Sequence, residues 1–192
     1  SELSTGPSRA QRNLPYRSFD LEAGIDHLQQ FGVPYYAAFS PSAVAKARNH
    51  PDLTEEATSG PWTVFRVAQA EAVAALVAEP AVFDGVGHRG WLEPAVDVFQ
   101  EGTTAVVRTL GGLDGWQRVA PGEHPEVRTL PEVQVTGIIS SVDQVSFTVD
   151  RIGVPVLVRT SFFPNWEADG AVGPWRATPN LMVVVPTSEE VT

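Results

Sequence analysis

Five consecutive apolar residues, Leu181 to Val185, follow the turn pair Pro179-Asn180 and end at Pro186. The run is too short for a helix and does not alternate, so it reads as a strand covered on both faces. A second β-branched run, Val154 to Val158, lies upstream of it. Between them, Pro164-Asn165, Asp169-Gly170, Gly173-Pro174 and Pro179-Asn180 cut the chain into pieces too short for helices. Asp169-Gly170 is the strongest hairpin signal, because glycine takes φ > 0 without steric cost. Val133 to Ile139 and Val145 to Val149 extend the same pattern upstream. Residues 132–192 are therefore expected to form an antiparallel β-sandwich, jelly-roll-like, with no helix between Val154 and Val185. The polar and β-branched pattern resumes at Glu189, so Val191 and Thr192 are expected to begin an incomplete edge strand or to dangle.

The first half reads differently. Residues 1–14 are polar and broken by Gly6-Pro7, a tail or linker. Residues 15–70 predict a small α/β unit. Ser18 is the expected cap of a helix with Leu21, Ile25 and Leu28 on one face and Gly32 past its end. Val33 to Phe39 is a strand, Ser40-Pro41 opens a second helix that His50-Pro51 stops, and Thr63 to Val67 is another strand. Residues 71–131 form a mixed, loop-rich connection. There Glu71 to Val77 fits a short helix or a strand, and Trp91 to Phe99 fits a helix with Leu92, Ala95, Val96 and Phe99 on one face. Gly111 to Pro131 reads as loop. The fold class is α+β.

Composition removes several function classes. A net charge of −10, with Lys46 the only lysine, argues against nucleic acid and against a polybasic contact with anionic lipid. The absence of cysteine excludes disulfides, thiolate metal sites and thiol redox chemistry. With 43% hydrophobic residues the chain can bury a sizeable core. No apolar run approaches the roughly 20 residues that cross a bilayer.

Gly85-Val86-Gly87-His88-Arg89-Gly90 matches the dinucleotide pattern G-x-G-x-x-G. Asp84 beside the first glycine would oppose a pyrophosphate, and no acid closes the following segment Thr104 to Thr109 to hold a ribose. A surface loop without a nucleotide is expected. His27, His50, His88 and His124 stand apart, at helix ends or on the surface, with no second ligand at metal spacing. No serine sits in a nucleophile elbow, and nothing marks Asp84, Glu93, Asp97 or Asp143 as a catalytic carboxylate pair. No catalytic, metal-binding or cofactor-binding residue is assigned, and no cofactor is expected.

The tryptophans are the remaining lead. Trp91, Trp116, Trp166 and Trp175 lie among turn residues, and the last two flank Asp169-Gly170. An exposed indole stacks on a sugar ring while acids, amides and guanidinium groups bond its hydroxyls. Trp166 and Trp175 with Glu167, Asp169, Arg176 and Asn180 are the candidate glycan contacts. The plainer alternative is that both indoles plug the ends of the sandwich.

The order Phe163-Pro164-Asn165-Trp166, the Asp169-Gly170 turn and a valine-rich strand ending at Pro186 resembles the C-terminal extracytoplasmic segment of the YfhO-like bacterial membrane proteins. Asn165 stands where glycine is usual. The resemblance covers the last third of the chain. Members are polytopic, and many are described as candidate glycosyltransferases using lipid-linked sugars. What this implies is an extracytoplasmic location on the bacterial cell membrane. The partners implied are the protein's own transmembrane region and a cell-envelope glycan or lipid-linked sugar. The segment then acts as a non-catalytic scaffold or glycan-contacting module, with its membrane helices outside this stretch. A self-contained carbohydrate-active enzyme and a purely structural interaction domain are the alternatives.

Overall fold

The computed structural model describes residues 19–102 and 105–192; the tail expected over 1–14, Ser18 and Thr104 lie outside them. The chain divides between Glu71 and Ala72 into two compact units, each with its own core.

In the first unit, α1 spans Leu21–Gln30 and is capped by Asp20, whose carboxylate accepts from the Ala23 N–H at 3.2 Å. That corrects the expected Ser18 cap by two positions; Gly32, at φ 65°, ends the helix as foreseen. Strand β1 is Tyr35–Ala38, and α2 is Pro41–Arg48 with Ser40 as its cap. Strands β2, Leu53–Ser59, and β3, Trp62–Val67, complete an antiparallel sheet in the order β1-β3-β2. Sequence reading missed β2, since all of Leu53-Thr-Glu-Glu-Ala-Thr-Ser59 except Leu53 is exposed and carries no apolar alternation.

One sheet face, with Tyr36, Ala38, Phe65 and Val67, packs against Leu21 and Ile25 of α1 and Val44 and Ala47 of α2. On the other face Arg66 pairs with Glu56 and donates to the Tyr35 hydroxyl at 3.0 Å. His50 stands just past the end of α2, a helix-end histidine that is buried rather than on the surface. It is 7% exposed, its Nδ1 accepts from the Asp52 N–H, and its Nε2 lies 3.1 Å from the Glu22 carboxylate. Those contacts assign it to tying α1 to the turn after α2.

The Ser40 cap gives a measurable local effect. Its hydroxyl accepts from the Ala43 N–H at 3.2 Å, satisfying one otherwise orphan helix donor. Ser40→Ala is expected to lower the stability of this unit by about 1 kcal/mol, read as a small drop in thermal midpoint. An unchanged midpoint would show that the cap carries no stability.

The second unit holds four strands from the region expected to be loop-rich and then the β-rich end. Strands β4 (Val73–Ala75), β5 (Ala81–Phe83), β6 (Arg108–Leu110) and β7 (Gln117–Val119) all lie before residue 132. Helix α3, Leu92–Gln100, follows a single 3-10 turn at His88–Gly90. Its buried side is Trp91, Pro94, Ala95 and Val98; of the expected face Leu92, Ala95, Val96 and Phe99, only Ala95 is fully buried and Leu92 is 67% exposed, so the face is rotated. Strands β8 to β13 are Val135–Ser140, Val145–Val149, Val156–Val158, Ala171–Ala177, Leu181–Pro186 and Glu190–Val191.

The larger sheet runs β4-β10-β12-β11-β6-β5-β7 and the smaller β13-β9-β8. All pairings are antiparallel except those of β5, which runs parallel to β6 and β7. The chain is thus α+β with mainly antiparallel sheets. Val156, Val158, Met182 and Val184 of the larger sheet share a core with Val145, Phe147, Val149 and Val191 of the smaller. The alternate residues Leu157, Leu181, Val183 and Val185 pack on the opposite face with Trp116. Strand β12 is buried along its whole length, as its unbroken apolar run implies.

Two turn expectations need correction. Gly173-Pro174 does not end a strand but forms a bulge inside β11, where the pairing with β12 skips between Val172 and Trp175. A bulge is where a sheet tolerates a residue that cannot donate. Asp169-Gly170 is no hairpin turn either. Asp169 exchanges backbone hydrogen bonds with Thr192 at 2.7 and 3.0 Å, and the Gly170 carbonyl accepts from Thr187 and Ser188. The hairpin in this region joins β11 to β12 through residues 178–180. The chain end meets its expectation in one respect: β13 is the outermost strand of the smaller sheet.

Candidate functional site

The six candidate glycan contacts separate into three places. Trp166, Glu167 and Asp169 line a hollow of about 440 Å³. Its apolar floor is Phe147, Val158, Met182 and Val184, the edge of the core between the two sheets. Trp166 is half-buried against that core and ends a turn in which its N–H donates to the Phe163 carbonyl at 3.1 Å. The polar rim comes from Asn165, Glu167 and Asp169 on one segment and from Asp143 and Gln144 on the β8–β9 turn. Ser141 fixes that turn, its hydroxyl donating to Asp143 at 3.0 Å and accepting from the Gln144 N–H at 3.1 Å. Sequence reading missed Asp143 and Gln144 as partners of Trp166, because pairing between strands distant in sequence brings them there.

The hollow therefore offers an aromatic wall, an apolar floor and a rim of carboxylates and amides, and no Lys or Arg lines it. Such a surface accepts hydrogen bonds from hydroxyls and repels phosphate. Its size falls within the range of small-ligand pockets.

Trp175 is elsewhere. It packs on the opposite face of the larger sheet, edge-on to Trp116 with ring centroids 5.2 Å apart. Gly111 and Gly112 make room for the pair: a Cβ on Gly111 would stand 3.1 Å from Trp175, and one on Gly112 would overlap the Trp116 ring. This indole fits the plug alternative, and the two tryptophans do not form one site. The segment read as plain loop, Gly111 onward, is what seats them.

Arg176 and Asn180 form the third place, bonded to one another from Nε to Oδ1 at 2.7 Å. The guanidinium lies over Trp91 at 5.0 Å and Phe162 at 5.8 Å from the ring centres. Neither residue lines the hollow.

The glycine loop at 85–90 does lie between a strand and a helix, β5 and α3, with parallel β6 beyond. Yet Cβ atoms on Gly87 and Gly90 would meet nothing within 4 Å. The dinucleotide fold uses glycine there for close approach of backbone to ligand and helix, and no such crowding exists here. Gly85, at φ 69°, is required by its turn. Among the described residues no cluster of His, Asp or Glu has metal-binding geometry, and no helix is long and apolar enough to cross a membrane. No family model, curated protein or solved structure matches the chain.

Proposed function

We propose that the Ala72–Thr192 unit is a glycan-contacting module that binds neutral sugar hydroxyls in the Trp166 hollow. Its setting in this proposal is the extracytoplasmic face of a bacterial polytopic membrane protein of cell-envelope assembly. There it acts as a non-catalytic partner of a transmembrane region that handles lipid-linked sugars. The observation that carries the contact is the juxtaposition of a half-buried indole with Asp143, Gln144, Glu167 and Asp169 around one apolar-floored hollow. The setting rests on the resemblance of Phe163 to Pro186 to the YfhO-like segment.

The acidic rim favours uncharged sugars over teichoic or phosphate-rich polymers. On an array of cell-wall glycans the protein is expected to retain neutral saccharides. Glu167→Ala should weaken that retention about tenfold, the loss of roughly one charge-assisted hydrogen bond, with the thermal midpoint unchanged because Glu167 is exposed. Trp166→Leu should abolish retention. Wild-type protein that retains no glycan, or a Glu167→Ala/Trp166→Leu variant that retains it undiminished, refutes the reading. Release of a cleaved sugar would move the unit to the carbohydrate-active enzyme alternative.

A further inference from the structure

We propose that Arg176 is the recognition residue of a second binding site on the Ala72–Thr192 unit, one that takes a small oxyanion, carboxylate or phosphate, on its free Nη edge. The site is separate from the Trp166 hollow and does not rest on the glycan reading.

Among the described residues Arg176 lacks an acidic partner. Arg48, Arg66 and Arg128 each pair with a glutamate. Arg176 is half-buried in strand β11 of a chain with 23 acidic residues, yet among the described residues no carboxylate bonds it. Its one protein acceptor is Asn180, on Nε. Nη1 and Nη2 donate to no protein atom among the described residues, and those are the donors that grip a carboxylate or phosphate in pairs.

What Arg176 has is a mount. The two rings and the Asn180 amide hold the guanidinium by one edge and its faces. Trp91 is itself fixed, 1% exposed with its indole N–H donating to the Pro179 carbonyl at 3.0 Å. Fixing a cation before its ligand arrives reduces the ordering cost of binding. Burial pushes the guanidinium down from its ordinary value, with no neighbouring acid to offset that. A counter-anion would relieve this.

His88 stacks on Phe162 with ring centres 6.5 Å apart and is exposed, as is its neighbour Arg89. These residues belong to the Gly85–Gly90 loop. That loop thus acquires a role without a nucleotide: it presents an imidazole to the aromatic mount of Arg176.

The test is a titration of the whole chain, following the Arg176 Nε–H and Trp91 indole N–H resonances, with glucuronate, inorganic phosphate and glucose as probes. Saturable shifts with glucuronate or phosphate and none with glucose are expected, and the probe that acts identifies the source of the oxyanion. Arg176→Gln should lose the response of the Trp91 indole. Arg176→Lys, which keeps the charge but not the fork, should weaken it about tenfold or more. Trp166→Leu should leave it intact, which separates this site from the hollow. Absence of saturation with both anions, an equal response to glucose, or a full response in Arg176→Lys each overturns the proposal. The wild-type titration and the lysine variant decide it even if Arg176→Gln fails to fold.

Discussion

Replacing Val183 with aspartate is expected to unfold the Ala72–Thr192 unit at neutral pH. Val183 is fully buried at the middle of β12, facing Leu157 of β10 on one side and Trp175 of β11 on the other. Its side chain packs in an apolar cluster with Trp116, Leu181 and Val185. An ionised carboxylate placed there has no partner, and its desolvation costs several kcal/mol. A domain is held by only about 5–15 kcal/mol, so the native state should be lost or barely populated.

The sign of the pH effect follows. The buried acid would have its folded-state value raised above the unfolded value of about 3.9. The charge-dependent destabilisation is present at neutral pH and shrinks as pH falls toward that value, below which both states carry the neutral acid. Circular dichroism and thermal melting from pH 7 down to about 4 read this directly. Val142→Asp is the control: Val142 is 99% exposed, and the change should fall within about 0.5 kcal/mol of zero. A Val183→Asp protein that melts like wild type at pH 7 would mean that β12 is not the buried centre of the sheet.

That strand also marks how far the sequence could be read. Leu181 to Val185 declares burial on both faces by its own composition, and the structure places it between β10 and β11 in the larger sheet. The helix begun at Ser40-Pro41 was equally legible, since cap and N1 proline act within a few residues of each other. What failed was information carried by distant partners. Strand β2 is polar because only its pairing to β3, not a buried face, makes it a strand. Asp169-Gly170 has turn chemistry, but its hydrogen bonds go to Thr187, Ser188 and Thr192 rather than across a local hairpin.

The candidate site shows the same division. Trp166, Glu167 and Asp169 are close in sequence and share the hollow. Trp175, only a few residues further on, is carried to the other sheet face by strand alternation and the Gly173-Pro174 bulge. Asp143 reaches the hollow only through the pairing of β8 with β9. Arg176 was singled out as a sugar contact for its chemistry, while the rings that surround it, Trp91 and Phe162, come from segments that sequence order does not connect.

Gly170→Ala is the second substitution with a large expected effect, and it links stability to the site. Gly170 sits at φ 76°, where an L side chain costs about 1–2 kcal/mol. A Cβ there would also overlap the Glu190 carbonyl and the Ser188 hydroxyl. The carbonyl is main chain, so the clash cannot be relieved by a rotamer change. It has to displace residues 187–192. Those residues are held by several contacts: Thr187 and Ser188 donate to Gly170 at 2.8 and 3.1 Å, Thr192 is paired with Asp169, and Val191 is 4% exposed in the inter-sheet core.

Gly122→Ala separates the two contributions. Gly122 has φ 84° but open space around its Cβ, so only the conformational part applies, about 1–2 kcal/mol. Gly170→Ala should cost distinctly more. It should also raise hydrogen exchange across 187–192 and weaken glycan retention, because Asp169, Val191 and Thr192 all line the hollow. Gly122→Ala should leave both unchanged. Equal losses of thermal midpoint in the two variants, with exchange at 187–192 unaltered, would show that β13 does not depend on the contact at Gly170.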